Sequence, residues 1–259
     1  MMDQSVGQIS EEFKACDVTQ LPSFIAIYGS DERSGVKALV KRANKKLADL
    51  EAEKQRLALM RTFEERYSDR YSLICGVDEA GRGPFAGPVV AGAVILPQDA
   101  EIFGLNDSKK LSPQKREELF EIINETAVSY GVGRVPAERI DEIGVGAADF
   151  EAMRIAIGQL SPAADFALTD AFKIPDLDLP QCPIVKGDAK SVSIAAASIM
   201  AKVTRDRMMD EYDKIYPQYG FKEHKGYGTA YHREMITKYG PCEIHRMSFL
   251  GNMNKSWEK

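Results

Sequence analysis

The sequence predicts an α/β protein: a mixed five-stranded sheet flanked by helices, preceded by a helical extension and followed by a helical C-terminal segment. Three observations carry this expectation. The texture changes near residue 70, where a stretch rich in Lys, Glu, Ala, Leu and Arg gives way to apolar runs punctuated by glycine and proline. Those runs are short and compact, as buried strands are. They come first in a hairpin-like group and then alternate with helical stretches, the pattern of a sheet with mixed strand directions. Two regions follow, residues 1–70 as a helical extension and residues 71–259 as the larger domain.

Taken in order, residues 9–15 read as a short helix opening with Ser10 and two glutamates. A turn at Gly29, Ser30 and Asp31 follows Pro22. Residues 33–67 contain no proline, and Leu39, Val40, Ala43, Leu47, Leu50, Leu57 and Met60 recur near helical spacing, which predicts one or two long helices. Lys37, Lys41, Arg42, Lys45 and Lys46 on this stretch admit two readings: a solvated helical face, or a basic handle for a polyanion. Strands are expected over 72–77, 88–96, 127–135, 166–169 and 183–186. Ser112 and Pro113 place a cap and a first-turn proline ahead of a helix running to about residue 124. Further helices are expected over 147–160, ended by Pro162, and over 190–215, stopped by Pro217.

Composition narrows the function. The chain has 259 residues, 44% hydrophobic and 28% charged, ordinary for a globular protein. Its longest apolar run, 192–203, is interrupted by Ser and Lys and is too short to span a membrane. The start, Met1-Met2-Asp3-Gln4-Ser5, lacks a basic flank and apolar core, so no secretory signal is read and a cytoplasmic protein is expected. Cys16, Cys75, Cys182 and Cys242 are scattered, which speaks against a zinc site or a disulfide framework. A net charge of -5 excludes coating nucleic acid by bulk charge but leaves room for a local basic groove. Residues 186–246 are in fact rich in Lys and Arg and hold all three histidines, while the acidic excess lies between Asp99 and Asp178.

Acidic residues stand directly after the expected strands. Asp78 and Glu79 follow the first, Asp170 the fourth, and Asp188 the fifth. Should those strands run the same way, the four carboxylates converge beyond their carboxyl ends, where sheets of this kind place their sites. Such a cluster repels itself unless a cation joins it. Hard divalent ions take oxygen ligands, and magnesium completes its shell with water and substrate phosphate. Two such ions together promote phosphodiester cleavage. Singly, each acid has a plainer reading, Asp188 as a helix cap and Asp170 as a turn residue. The Asp78-Glu79 pair joined to Gly81-Arg82-Gly83 shifts the balance, since glycines expose N–H groups that can cradle an oxyanion.

Gly76-Val77-Asp78-Glu79-Ala80-Gly81-Arg82-Gly83-Pro84 resembles the signature of the ribonuclease HII family. The resemblance extends through Asn106-Asp107-Ser108-Lys109-Lys110-Leu111-Ser112, Lys186-Gly187-Asp188, the run from Ile194 to Ile199, Ala201 to Arg207, and His224-Lys225-Gly226-Tyr227-Gly228-Thr229. These blocks fall in the family's order over roughly residues 72–250. The related ribonuclease HIII family typically lacks arginine in the glycine motif, so Arg82 favours type 2.

The resemblance implies an RNase H-like fold and metal-dependent cleavage of RNA in RNA–DNA hybrids and of ribonucleotides embedded in duplex DNA. It implies Asp78, Glu79, Asp170 and Asp188 as catalytic acids holding two Mg2+ or Mn2+ ions with substrate. Gly81, Arg82 and Gly83 would sense the 2′-hydroxyl, the feature that marks a ribonucleotide. Tyr227 would stack on the deoxyribose that follows. Lys109 and Ser191 are candidate phosphate contacts, Ser191 through a helix start; exposure in the one case and capping in the other are the plainer readings. The three histidines read as packing residues or phosphate neighbours. A monomer without membrane association is expected, with any replication or repair partner left unnamed. Two rival classes share these features: another RNase H-like nuclease or polynucleotide transferase, and a non-catalytic hybrid-binding module. Intact acids speak against the second, because carboxylates beside phosphates do not help a binder.

Overall fold

The computed structural model of the chain describes residues 4–251 and 253. Met1 to Asp3, part of the stretch on which the expectation about a secretory signal rests, and residues 252 and 254–259 of the expected C-terminal segment lie outside the described residues. The chain forms two compact units, one reaching Ala58 and the other beginning at Leu59. Among the described residues no helix is long and apolar enough to cross a membrane.

The first unit holds α1 (Val6–Ala15), α2 (Leu21–Tyr28) and most of α3 (Ser34–Met60). Its cap is Ser5 rather than Ser10. The Ser5 hydroxyl accepts from the Gln8 amide, and the Gln8 side chain accepts from the Ser5 amide, a reciprocal box that sets the start. The sequence reading missed α2 because Pro22 looks like a breaker. Pro22 sits in the first turn, where its absent N–H has no helical bond to lose. Val36, Leu39 and Ala43 share one face of α3 and close a core with Ile9, Phe13, Leu21, Phe24 and Tyr28.

The second unit opens with α4 (Thr62–Ser68), so the long helical stretch is broken once, near Arg61. Then come β1 (Ile74–Ala80), β2 (Val89–Ile95), α5 (Pro113–Thr126), β3 (Ser129–Val135), α6 (Ala137–Ile143), α7 (Val145–Gly158), β4 (Phe166–Asp170), β5 (Gln181–Ile184), α8 (Val192–Ile215), α9 (Phe221–His224) and α10 (Ala230–Tyr239). The sheet has the order β3-β2-β1-β4-β5. Antiparallel pairing joins β3 to β2 and β2 to β1, and parallel pairing joins β1 to β4 and β4 to β5. β1, β4 and β5 therefore run the same way.

Several boundaries differ from expectation for physical reasons. β1 continues through Asp78 and Glu79 to Ala80 because its ladder with β2 persists to the Ala80–Val90 pair; backbone bonds, not apolar composition, decide where it stops. β5 ends earlier, at Ile184, and Lys186 takes a left-handed conformation with φ 59°. Asp188 lies in a short 3-10 turn and is not the cap of α8; that role belongs to Ser191, whose hydroxyl accepts from the Ile194 amide.

Helices cover both faces. On one, Ala148, Ala152, Met153 and Ala156 of α7 pack on Cys75, Val77, Ala91 and Ala93. On the other, the first half of α8 is buried on every side, as a helix apolar all round must be. It advances alongside β1. Gly76 meets the backbone of Ser193, where any Cβ would collide, and Gly81 meets Arg205 farther along α8. Close approach of strand and helix requires the missing side chain at Gly76.

Candidate active site

Parallel register gathers the acids. Val77 lies opposite Thr169, so Asp78 and Asp170 leave neighbouring strands at the same level. The Gly187 amide donates to Asp170 Oδ1 at 2.7 Å, tying the end of β4 to the turn that carries Asp188. Asp78 is 3% exposed. Its carboxylate accepts from the Glu79 amide at 2.8 Å and hydrogen-bonds the Ser198 hydroxyl of α8. Ser198 in turn meets Ser108 at 2.9 Å.

Like charges crowd here. Burial pushes the Asp78 carboxyl well above the usual range, and Glu79 and Asp170 push it further. Glu79 is raised by burial and by Asp170, with Arg82 pulling the other way. Asp188 is raised by burial, Asp107 and Asp170, against Lys109. Lys109 stands among them, its Nζ 3.8 Å from Asp188. Burial works against its charge, but Asp78, Asp188, Asp107 and Glu79 together hold the ammonium above its ordinary value.

This donor set fits divalent cations of the magnesium type: every side-chain donor is a carboxylate oxygen, and the carboxylates destabilise one another without a counter-charge. Among the described residues no three acidic, histidine or cysteine side chains already form a metal cage. A magnesium-type ion takes one or two carboxylates and draws its other ligands from water and substrate phosphate.

Beside the acids lies the loop of residues 81–88. Gly81 has φ +96°, a left-handed conformation that favours glycine. Arg82 reaches back to the site, Nη1 3.6 Å from Glu79 and Nε 3.5 Å from Asp149. Asp149 on α7 is buried, and among the described residues its Oδ1 has no hydrogen-bond partner. Burial first, and Glu79 second, push its carboxyl up to about 8. Tyr227 is 48% exposed, and its ring lies over Gly83, where a Cβ would come within 3.7 Å of it.

Two buried arginines lash this loop from beneath. Arg246 donates to the carbonyls of Gly87, Arg82 and Gly81 at 2.6–3.0 Å. Arg205 donates to the carbonyls of Pro88, Ala86 and Lys225 at 2.9–3.1 Å, joining the 81–88 loop to the segment that carries Tyr227. Their forks are filled by carbonyls rather than carboxylates, and burial lowers Arg205 to about 10 and Arg246 to about 9. Both remain cations at neutral pH.

The structure thus brings Asp78, Glu79, Asp170, Asp188 and Lys109 into one electrostatic cluster, joins Arg82 to it through Glu79, and sets Gly81, Gly83 and Tyr227 alongside. Ser191 stands apart: it is fully buried and donates to Glu64 at 2.6 Å while capping α8. Sequence reasoning missed Asp149, Ser198 and the lashing roles of Arg205 and Arg246. A signal for Asp149 existed, because it shares the buried stripe of Ala148, Ala152, Met153 and Ala156.

A mixed sheet of this order, with carboxylates at the ends of its parallel strands and a glycine loop beside them, defines the RNase H-like nuclease class. The family model for ribonuclease HII matches residues 75–251, and that for the ribonuclease HII N-terminal domain matches residues 5–68. A ribonuclease HII of Clostridioides difficile is 52% identical over 254 residues, covering 98% of this chain and 100% of the relative. A ribonuclease HII of Bacillus subtilis is 52% identical over 246 residues, 95% of this chain and 96% of the relative. Among solved structures, ribonuclease H2 from Pyrococcus horikoshii aligns with a TM-score of 0.57 at 30% identity, covering 68% of this chain and 92% of that one. The RNase HII in a complex with PCNA from Archaeoglobus fulgidus aligns with a TM-score of 0.58 at 27% identity, covering 70% and 96%.

The chain belongs to the ribonuclease HII family and is an RNase H endoribonuclease, of a family that depends on metal. That membership sets aside the reading as a non-catalytic binding module.

Proposed function

We propose that the enzyme hydrolyses the phosphodiester on the 5′ side of a ribonucleotide, in RNA–DNA hybrids and in duplex DNA carrying embedded ribonucleotides, leaving a 3′-hydroxyl and a 5′-phosphate. One observation carries the reading: parallel β1, β4 and β5 deliver four acids to the edge of a glycine loop that is rigidly held. Asp78, Glu79, Asp170 and Asp188 would hold two Mg2+ or Mn2+ ions. When bound, such ions activate the attacking water and stabilise the leaving oxygen.

The remaining work falls to the chain itself. Gly81 and Gly83 present backbone toward the 2′-hydroxyl without an intervening side chain. Arg82 donates to phosphate from a position fixed by Glu79 and Asp149. Tyr227 offers its exposed ring to the following sugar, where an added hydroxyl obstructs flat packing. Lys109, beside Asp188, would offer its ammonium to a phosphate oxygen. Ser191 serves a phosphate only by giving up its bond to Glu64. The exposed Lys41, Arg42 and Lys45 of α3 add backbone contacts, and their neutralisation flattens the salt dependence of hybrid binding. The enzyme acts as a monomer, in the cytoplasm.

Cleavage-site mapping on a DNA duplex with one embedded ribonucleotide, with and without magnesium, tests the proposal. A single metal-dependent cut immediately 5′ of the ribonucleotide is expected. Equal cutting of the all-DNA duplex would move the protein to another RNase H-like nuclease activity.

A further inference from the structure

His224, His232 and His245 are the only histidines of the chain, and they meet behind Tyr227. The His224 and His232 rings stack with centroids 4.4 Å apart, and those of His232 and His245 are 5.2 Å apart. Backbone donors fix the protons. His245 Nδ1 lies 2.8 Å from the Cys242 amide, 3.1 Å from the Cys242 thiol and 3.3 Å from the Cys242 carbonyl; the nearest of these, the amide, can only donate, which puts the proton of this neutral ring on Nε2. That Nε2 faces His232 Nε2 at 3.0 Å and donates to it. His232 must then be protonated on Nδ1, which lies 3.0 Å from the Tyr227 carbonyl. One directed chain results, from the Cys242 amide through two imidazoles to the backbone of Tyr227.

Neighbouring groups agree with two neutral rings. Those facing the pair are His224, Arg233, Cys242 and Tyr219. Burial lowers His232 to about 3 and His245 to about 4. His224 fastens the same segment, accepting from the Gly226 amide at 3.2 Å and meeting the Tyr219 carbonyl at 2.8 Å. Packing alone would need the volume of these rings but not a single tautomer in each.

We infer that His232 and His245 are positioning residues for Tyr227: a two-imidazole relay anchors the Tyr227 carbonyl and thereby holds the exposed ring over Gly83. The functional part rests on the reading of Tyr227 as a sugar contact, so the test separates the two. His232→Phe keeps volume and removes both bonds; His232→Asn returns a donor at the Nδ1 position. Amide hydrogen exchange of residues 226–229 is measured without substrate, alongside KM and kcat on a hybrid.

His232→Phe is expected to speed exchange and raise KM, each roughly tenfold, about what one buried hydrogen bond is worth. Saturated kcat should change little, and His232→Asn should recover most of the loss. Unchanged exchange in a folded His232→Phe overturns the relay. Faster exchange with unchanged KM upholds the relay and overturns the sugar-contact reading of Tyr227. Nitrogen chemical shifts of the unaltered protein give a check that needs no variant: a proton on Nδ1 of His232 and on Nε2 of His245 supports the relay, and any other pair of tautomers overturns it.

Discussion

The acid end of the parallel strands and the lashed loop beside it bury charge in opposite ways. At the acid end, burial and neighbouring carboxylates raise the affinity of Asp78, Glu79 and Asp188 for protons, and Lys109 and Arg82 offset this only in part. Beneath the loop, Arg205 and Arg246 are just as buried, yet their forks are filled by carbonyls at good distances. One region holds a surplus of negative charge that a cation relieves. Its neighbour needs nothing from outside to keep its shape. On the proposed reading, chemistry is placed where the fold is electrostatically strained, and recognition where it is satisfied.

Substitutions can break or sharpen this contrast. The largest effect is expected from Asp78→Asn. Single-turnover cleavage should fall by more than the roughly 100-fold typical of disturbing an outer-sphere group, because a proposed ligand itself is lost. Hybrid binding should largely persist, and the melting temperature should hold or rise, since a buried carboxylate among like charges is removed. A clear loss of stability would mean the acid end is a satisfied structural network after all.

Arg246→Met should act in the reverse sense. It strips the donors from the carbonyls of Gly81, Arg82 and Gly87, and a loss of about 3 kcal/mol in denaturant unfolding is expected. Stability equal to the parent would show that the lash is dispensable.

Acid probes the same region more gently. His232 and His245 bind protons less readily folded than unfolded, so their contribution is complete above the ordinary histidine value of 6.5. It is lost as pH falls toward about 4 and then about 3. Melting curves between pH 7 and 4 should decline more steeply for the parent than for His232→Phe.

The smallest effect belongs to Asp149→Asn. It removes a buried carboxyl with an unpartnered oxygen, so stability should stay within about 1 kcal/mol. Cleavage efficiency should drop by less than about tenfold, as Arg82 exchanges a carboxyl neighbour for an amide and keeps Glu79.

What could be read beforehand followed from proximity along the chain. Asp78, Glu79, Asp170 and Asp188 were legible because each stands directly after an apolar run, and the strand order then needed only to be parallel. Asp149 was hidden inside a helix whose neighbours are apolar, where a single acid looks incidental. Arg205 and Arg246 looked like members of a basic surface; only tertiary packing reveals that carbonyls of a loop over a hundred residues away surround them. The histidines were read as packing residues or phosphate neighbours, which left out the hydrogen-bond direction that backbone donors impose. Pro22 concealed α2 because its meaning depends on whether it falls inside a helix or in its first turn.

One feature of α8 sets a limit on how the enzyme can vary. Ser198 touches Asp78, and Arg205 touches Gly81, so about two helical turns, ~10 Å of rise, separate the acid cluster from the glycine loop. On the proposed reading, the offset between scission and sensed ribose is written into helical pitch. A single inserted residue would swing Arg205 by about 100° while leaving Ser198 in place, so length changes here are forbidden long before composition is.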